Sequence, residues 1–271
     1  MTRNLSAMFL SMASALFFSA ISGSTATGAT IPVSVSGFNA DVVVEATATP
    51  DFDDDASGFD VPNNWALYES GLAGGSAGLP AGGSFVSDTY GTSFQMADYS
   101  ENNALLLTST FPVGQLMLDT PEAYTSIHVL AGSTNSGTMG SMVVMYTDGS
   151  AMVSDYGAPD WFNRTGGITG AGNEYDYALQ GIGRVQAVAG SSSFDDPAGN
   201  PDLFETIVPV DPSKEIASMW FVRSGPANAG TATGIFAISG ETVDQNNIPE
   251  PSSIVLLGLG GLALAYRGLR R

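Results

Sequence analysis

The chain has 271 residues, with 27 acidic side chains against 8 basic ones and a formal net charge of −19. Such a surface repels polyanions, so no nucleic-acid partner is expected. There is no cysteine, which excludes disulfides, thiol nucleophiles and zinc–thiolate sites and leaves stability to the packed core.

At the amino end Arg3 precedes an apolar stretch over 7–21, and small residues follow through Ser24-Thr25-Ala26-Thr27-Gly28-Ala29. This is the layout of a secretory signal peptide removed on export, assigned here to residues 1–29. Both Ser24-Thr25-Ala26 and Thr27-Gly28-Ala29 present small residues in the pattern a signal peptidase accepts. Removing the two chain ends takes away Arg3, Arg267, Arg270 and Arg271 but only one acid, Glu250. Four bases then stand against 26 acids, a net charge of about −22 that attracts divalent cations.

Residues 30–247 read as one all-β domain, a β-sandwich. Short runs rich in Val, Ile, Thr, Phe and Tyr recur between Gly, Asn, Asp and Pro clusters. The expected strands are 33–38, 42–47, 93–97, 104–110, 114–118, 126–131, 141–147, 183–188, 204–208, 216–223 and 234–239. The run 142–146 is apolar at every position, which predicts strands covered on both faces, and Thr147-Asp148-Gly149-Ser150 after it supplies a turn with Gly149 at positive φ. The glycine-rich stretch 51–88 reads as one long ordered loop in which Trp65, Leu67 and Tyr68 pack over an open end of the sandwich. Weakly patterned regions follow at 154–176 and 190–201.

Candidate chemistry is sparse. Asp51, Asp53, Asp54, Asp55 and Asp60 fall within ten residues and supply the hard oxygens that Ca²⁺ prefers, with Asp51, Asp53, Asp55 and Asp60 as the candidate ligands. The spacing departs from an EF-hand loop, with Ala56 at position six and Pro62 at position twelve, so a solvated acidic turn is the competing reading. No other cofactor is expected. His128 is the sole histidine and sits on the strand face opposite Ile127 and Val129, where a hydrogen-bonded structural role is expected. Asp148, Asp155, Asp160, Glu174 and Asp176 offer carboxylates for glycoside hydrolysis, which only their separation in space decides. Among the tryptophans, Trp220 in Met219-Trp220-Phe221-Val222 reads as core. Trp161 beside Asp160 either plugs the sandwich edge or faces a ligand, and Trp65 reads as exposed; these three residues are the glycan-binding candidates.

The carboxyl end is tripartite. Pro249-Glu250-Pro251 is an extended segment, the run from Ile254 to Tyr266 is apolar and uncharged, and Arg267, Arg270 and Arg271 close the chain. The apolar run is shorter than the roughly 20 residues of a comfortable membrane span, and the arginines hold its end in the cytoplasm. This order over 248–271 resembles the PEP-CTERM sorting signal of Gram-negative bacteria that make extracellular polysaccharide. The resemblance implies an exosortase in the inner membrane as partner, a membrane-held precursor, and release toward the cell surface or matrix. Within the body, Gly78-Leu79-Pro80, Phe94-Gln95-Met96, 102–107, 124–130, 146–150, Asp160-Trp161-Phe162 and 210–214 together resemble the galactose-binding-like jelly rolls attached to secreted glycosidases. That likeness implies a polysaccharide ligand and no catalysis; a glycosidase-like enzyme and a purely structural surface protein are the alternatives.

Overall fold

The structure is a computed structural model that describes residues 28–47, 58–135, 139–162, 175–188, 191–197, 199–224 and 230–242. The signal segment before Gly28, three of the candidate calcium ligands (Asp51, Asp53 and Asp55), Glu174 and the sorting tail lie outside these residues.

The described residues form seventeen strands. In chain order they are β1 (Thr30–Pro32), β2 (Val35–Ser36), β3 (Val43–Val44), β4 (Trp65–Tyr68), β5 (Ser84–Val86), β6 (Ser93–Gln95), β7 (Leu105–Thr108), β8 (Val113–Glu122) and β9 (Tyr124–Ser133). There follow β10 (Met139–Tyr146), β11 (Ala151–Gly157), β12 (Tyr175–Leu179), β13 (Arg184–Val188), β14 (Ser191–Asp195), β15 (Leu203–Pro209), β16 (Ile216–Ser224) and β17 (Ala232–Thr242).

Two antiparallel sheets form the sandwich. The first runs β1-β17-β9-β15-β12, with β7 pairing the other half of β17; the second runs β11-β10-β16-β8-β2. Following β7, β8, β9, β10, β11, β15, β16 and β17 along the chain, four lie in the first sheet as β7-β17-β9-β15 and four in the second as β8-β16-β10-β11. That is the strand order of a jelly roll. Alternation on β9 sends Ile127, Val129 and Ala131 inward, where they meet Met142, Val144 and Tyr146 of β10 and Met219 and Phe221 of β16. Those facing rows make the main core.

The first sheet is covered a second time. Leu130, Phe236 and Ala237 on its far face pack against Val42, Leu67, Leu79, Phe94 and Met96, which come from the smaller sheet β14-β13-β4-β3, the hairpin β5-β6 and their connections. The stretch 58–88 is therefore a layer across a sheet face and not a loop over an open end, and it carries two strands of its own. Its Trp65-Ala66-Leu67-Tyr68 run is apolar throughout but too short to stand out among the glycines around it. Among the described residues β9 and β17 carry the longest runs buried on both faces, and the first four residues of β15 are buried as well. On β10 burial instead alternates strictly, Gly140, Met142, Val144 and Tyr146 being buried and Met139, Ser141, Val143 and Met145 half-buried. Its continuous apolar run predicts two covered faces, yet only one is covered here.

Candidate functional site

Among the described residues no further layer covers the outer face of the second sheet. Register fixes which residues share it. One row across the strands is Val153, Val143, Trp220 and Gln115; the rows on either side are Asp155, Ser141, Val222, Val113 and Ala151, Met145, Ser218, Met117. At a strand spacing of roughly 4.8 Å the central row is about 14 Å long. Only Asp155 among these twelve positions is charged, and it sits on the edge strand accepting a hydrogen bond from Ser141 Oγ at 2.9 Å. On a chain this acidic, a charge-poor sheet face is a departure from the rest of the surface. Val153 is 73 % exposed, Met117 53 %, Val113 49 % and Trp220 40 %. Gln115 Nε2 donates to Ser218 Oγ at 3.0 Å, placing an amide and a hydroxyl beside the indole.

Trp220 is thus on the surface, where the sequence reads as core; the flanking Met219 and Phe221 are the buried pair. The other two tryptophans meet elsewhere. Trp161 is 2 % exposed, with the Phe59 ring edge-on at 5.1 Å and Phe162 at 5.8 Å, so it fills the core beneath the covering layer. Trp65 is half-buried, and its ring lies 4.1 Å from the Arg184 guanidinium, which also stands 4.2 Å from Phe162 and 5.6 Å from Trp161. The structure therefore gathers Trp65 and Trp161 around an internal cation. Asp160 Oδ1 accepts from the Phe162 amide at 2.9 Å. Asp60 is buried, its Oδ1 accepting from Asn135 Nδ2 at 2.8 Å and its Oδ2 from Asn63 Nδ2 at 2.9 Å, so both oxygens hold local loops. Among the described residues no group of three or more acidic or histidine side chains is placed to hold a metal ion.

A second polar cluster lies on the far face of the first sheet. His128 Nδ1 is 2.6 Å from Glu205 Oε1, and Nε2 is 3.1 Å from Ser126 Oγ, which donates to Glu241 Oε2 at 2.9 Å. Thr92 Oγ1 bonds both Glu205 and His128 Nδ1. The distances match a nucleophile, base and orienting acid. However, Ser126 gives its proton to Glu241, so its oxygen is an acceptor toward the ring and is not poised as a nucleophile. That makes the cluster a buried polar network in which the imidazole lies between Glu205 and Ser126, and Ser126 leads on to Glu241. Above it opens a cleft of about 510 Å³ lined by Thr30, Tyr90, Ser93, His128, Ile207 and Glu241 among others. Spacing gave no signal for this network, because Glu205 and Thr92 reach His128 only through the fold.

The carboxylates considered for hydrolysis serve local geometry. Asp148 binds Ser150 and Lys214, Asp155 binds Ser141, and Asp176 accepts from the Tyr177 amide.

Residues 247–271 match the PEP-CTERM protein-sorting motif. No curated protein matches the chain. The motif supports an exported chain that is processed at the membrane by an exosortase.

Proposed function

We propose that the protein is a component of the cell surface or extracellular matrix that associates with extracellular polysaccharide through the outer face of its second sheet. The observation that carries this reading is Trp220, an exposed indole in the central of three rows of the sheet face that together hold one charge, at their edge. Sugar rings present flat C–H faces that suit an aromatic and apolar strip, while Gln115, Ser141 and Ser218 supply neutral hydrogen-bonding groups beside it. A central row about 14 Å long takes two to three sugar units of a linear chain. The ligand class is an uncharged glycan, since the acidic body repels polyuronates. The jelly-roll strand order and the export signal agree with this role.

The test is co-sedimentation of the exported protein with the host's own polysaccharide and with neutral and uronate-rich polymers, alongside a reducing-sugar assay. Neutral polymers should retain the protein, and Trp220→Ala should weaken retention by roughly tenfold or more without changing the melting temperature. No retention on any polymer overturns the reading, and release of reducing ends moves the protein to the polysaccharide-modifying class.

A further inference from the structure

Two small-residue patterns at the amino end satisfy a signal peptidase equally well in sequence, one ending at Ala26 and the other at Ala29. Gly28 and Ala29, however, are built into the sandwich. The Ala29 carbonyl accepts two hydrogen bonds from the last residue of β17, one from the Thr242 amide at 3.1 Å and one from Thr242 Oγ1 at 3.2 Å. Thr30 then pairs with Glu241 in the β1–β17 ladder, and its Oγ1 accepts from the Ser93 amide at 3.2 Å. Gly28 is seated so closely that a Cβ there would lie 2.1 Å from the Thr242 carbonyl oxygen and 3.3 Å from Glu241 Cγ. Both residues form the lip of the cleft over His128.

We propose that signal peptidase hydrolyses the Ala26–Thr27 bond, water adding across the peptide to leave the Ala26 carboxylate on the leader and the ammonium of Thr27 on the mature protein. A cut after Ala29 discards the acceptor of both Thr242 bonds and opens one wall of the cleft. It also discards a glycine matched to a contact that no other residue fits, a match without purpose in a leader peptide. The cut after Ala26 retains all three features. It is also compatible with the leader's own layout, because Ser24 and Ala26 are the small pair and the apolar stretch has ended at Ile21. The mature amino end is then a working part of the fold that closes β17 and the cleft.

Amino-terminal sequencing of the exported protein tests this directly: Thr27 as first residue is expected, and Thr30 overturns it. A second measurement does not depend on locating the terminus. Gly28→Val leaves both small-residue patterns intact, so export continues. If Gly28 is retained, the exported variant melts lower than the parent by at least about 2 °C. An unchanged melting temperature means that Gly28 has left with the leader, and sinks the proposal.

Discussion

The guanidinium of Arg184 lies 4.1 Å above the Trp65 ring and is held there by Asp195, whose Oδ2 accepts from Nε at 2.9 Å and from a terminal nitrogen at 2.6 Å. Trp65 is on β4 and Arg184 on the neighbouring β13, so the contact ties the two central strands of the covering sheet to Phe162 and Trp161 beneath. Arg184→Ala should cost about 1–2 kcal/mol in chemical denaturation, since it removes a forked ion pair and a stacked cation together. Arg184→Lys should fall between the two, keeping the charge but losing the planar fork. Equal stability of all three proteins would show that the contact contributes nothing.

Removing His128 has a different signature. Glu205 is fully buried, and its partner is the imidazole 2.6 Å away. His128→Ala removes a hydrogen-bonding partner from a buried carboxyl group that keeps only Thr92, for which about 1–3 kcal/mol is expected. Adding Glu205→Gln to that variant should recover part of the loss, because a neutral amide costs less to leave under-satisfied in the core than a carboxyl group that can ionise. A double variant less stable than His128→Ala alone would contradict this network.

Much of this architecture was legible in the sequence, and what was not has identifiable causes. All eleven expected strands overlap observed ones, because each carries a short apolar or β-branched run bounded by turn chemistry. The strands β1, β4, β5, β11, β12 and β14 were not: the first three are only three or four residues long, Ala151-Met152-Val153-Ser154-Asp155-Tyr156-Gly157 mixes polar residues into its alternation, and Ser191-Ser192-Ser193-Phe194-Asp195 has almost no apolar content. Alternation gives the two faces of a strand but not which face another layer covers. That is why Trp220 read as core from its apolar neighbours, while Trp161 in a polar neighbourhood left burial and exposure both open. The covering layer arrives from residues far away in sequence and takes the face of β9 and β17, leaving that of β10 and β16 open.

The turn after β10 carries the positive φ that its glycine predicts. Gly149 has φ of 82°, and a Cβ added there meets nothing within 4 Å. The cost of Gly149→Val is therefore backbone conformation alone, about 1 kcal/mol or slightly more by thermal unfolding. Retained stability together with lost polysaccharide binding would instead make this turn part of the ligand site.

The same turn predicts an acid dependence. Hydrogen bonds from the Ser150 hydroxyl and amide, with Lys214 at 3.2 Å, lower the Asp148 carboxyl from 3.8 to about 2. A carboxylate depressed on folding contributes stability above its unfolded pKa and loses it as pH falls through the folded value. The contribution of Asp148 should thus be complete above about pH 4 and fade toward pH 2. Asp148 is fully exposed, so the effect is small and screened by salt. Comparing melting temperatures of the parent and Asp148→Asn across this window should show the difference between them shrinking toward pH 2. A difference that stays constant would separate the turn's stability from this carboxylate.

The tail joins three features with separate physical tasks, and the strongest prediction concerns their joint action. Prolines at 249 and 251 disfavour helix and suit a segment that an enzyme's groove must accept. We propose that Glu250, costly to draw into a bilayer, sets that segment at the interface. On the same proposal the apolar run beyond it would retain the precursor in the membrane, and Arg267, Arg270 and Arg271 would keep its end from crossing. An exosortase acting there should leave a mature protein ending close to Pro249, without residues 254–271. Glu250→Ala should strand the precursor in the inner membrane, and so should expression in a host without the processing enzyme. Intact mass measurement on protein released by the native host decides the matter. A terminus at Arg271 on protein recovered from the cell surface would make the tail a plain anchor, whereas loss of the tail only where the enzyme is present would tie the arrival of the Trp220 face outside the cell to that single cut.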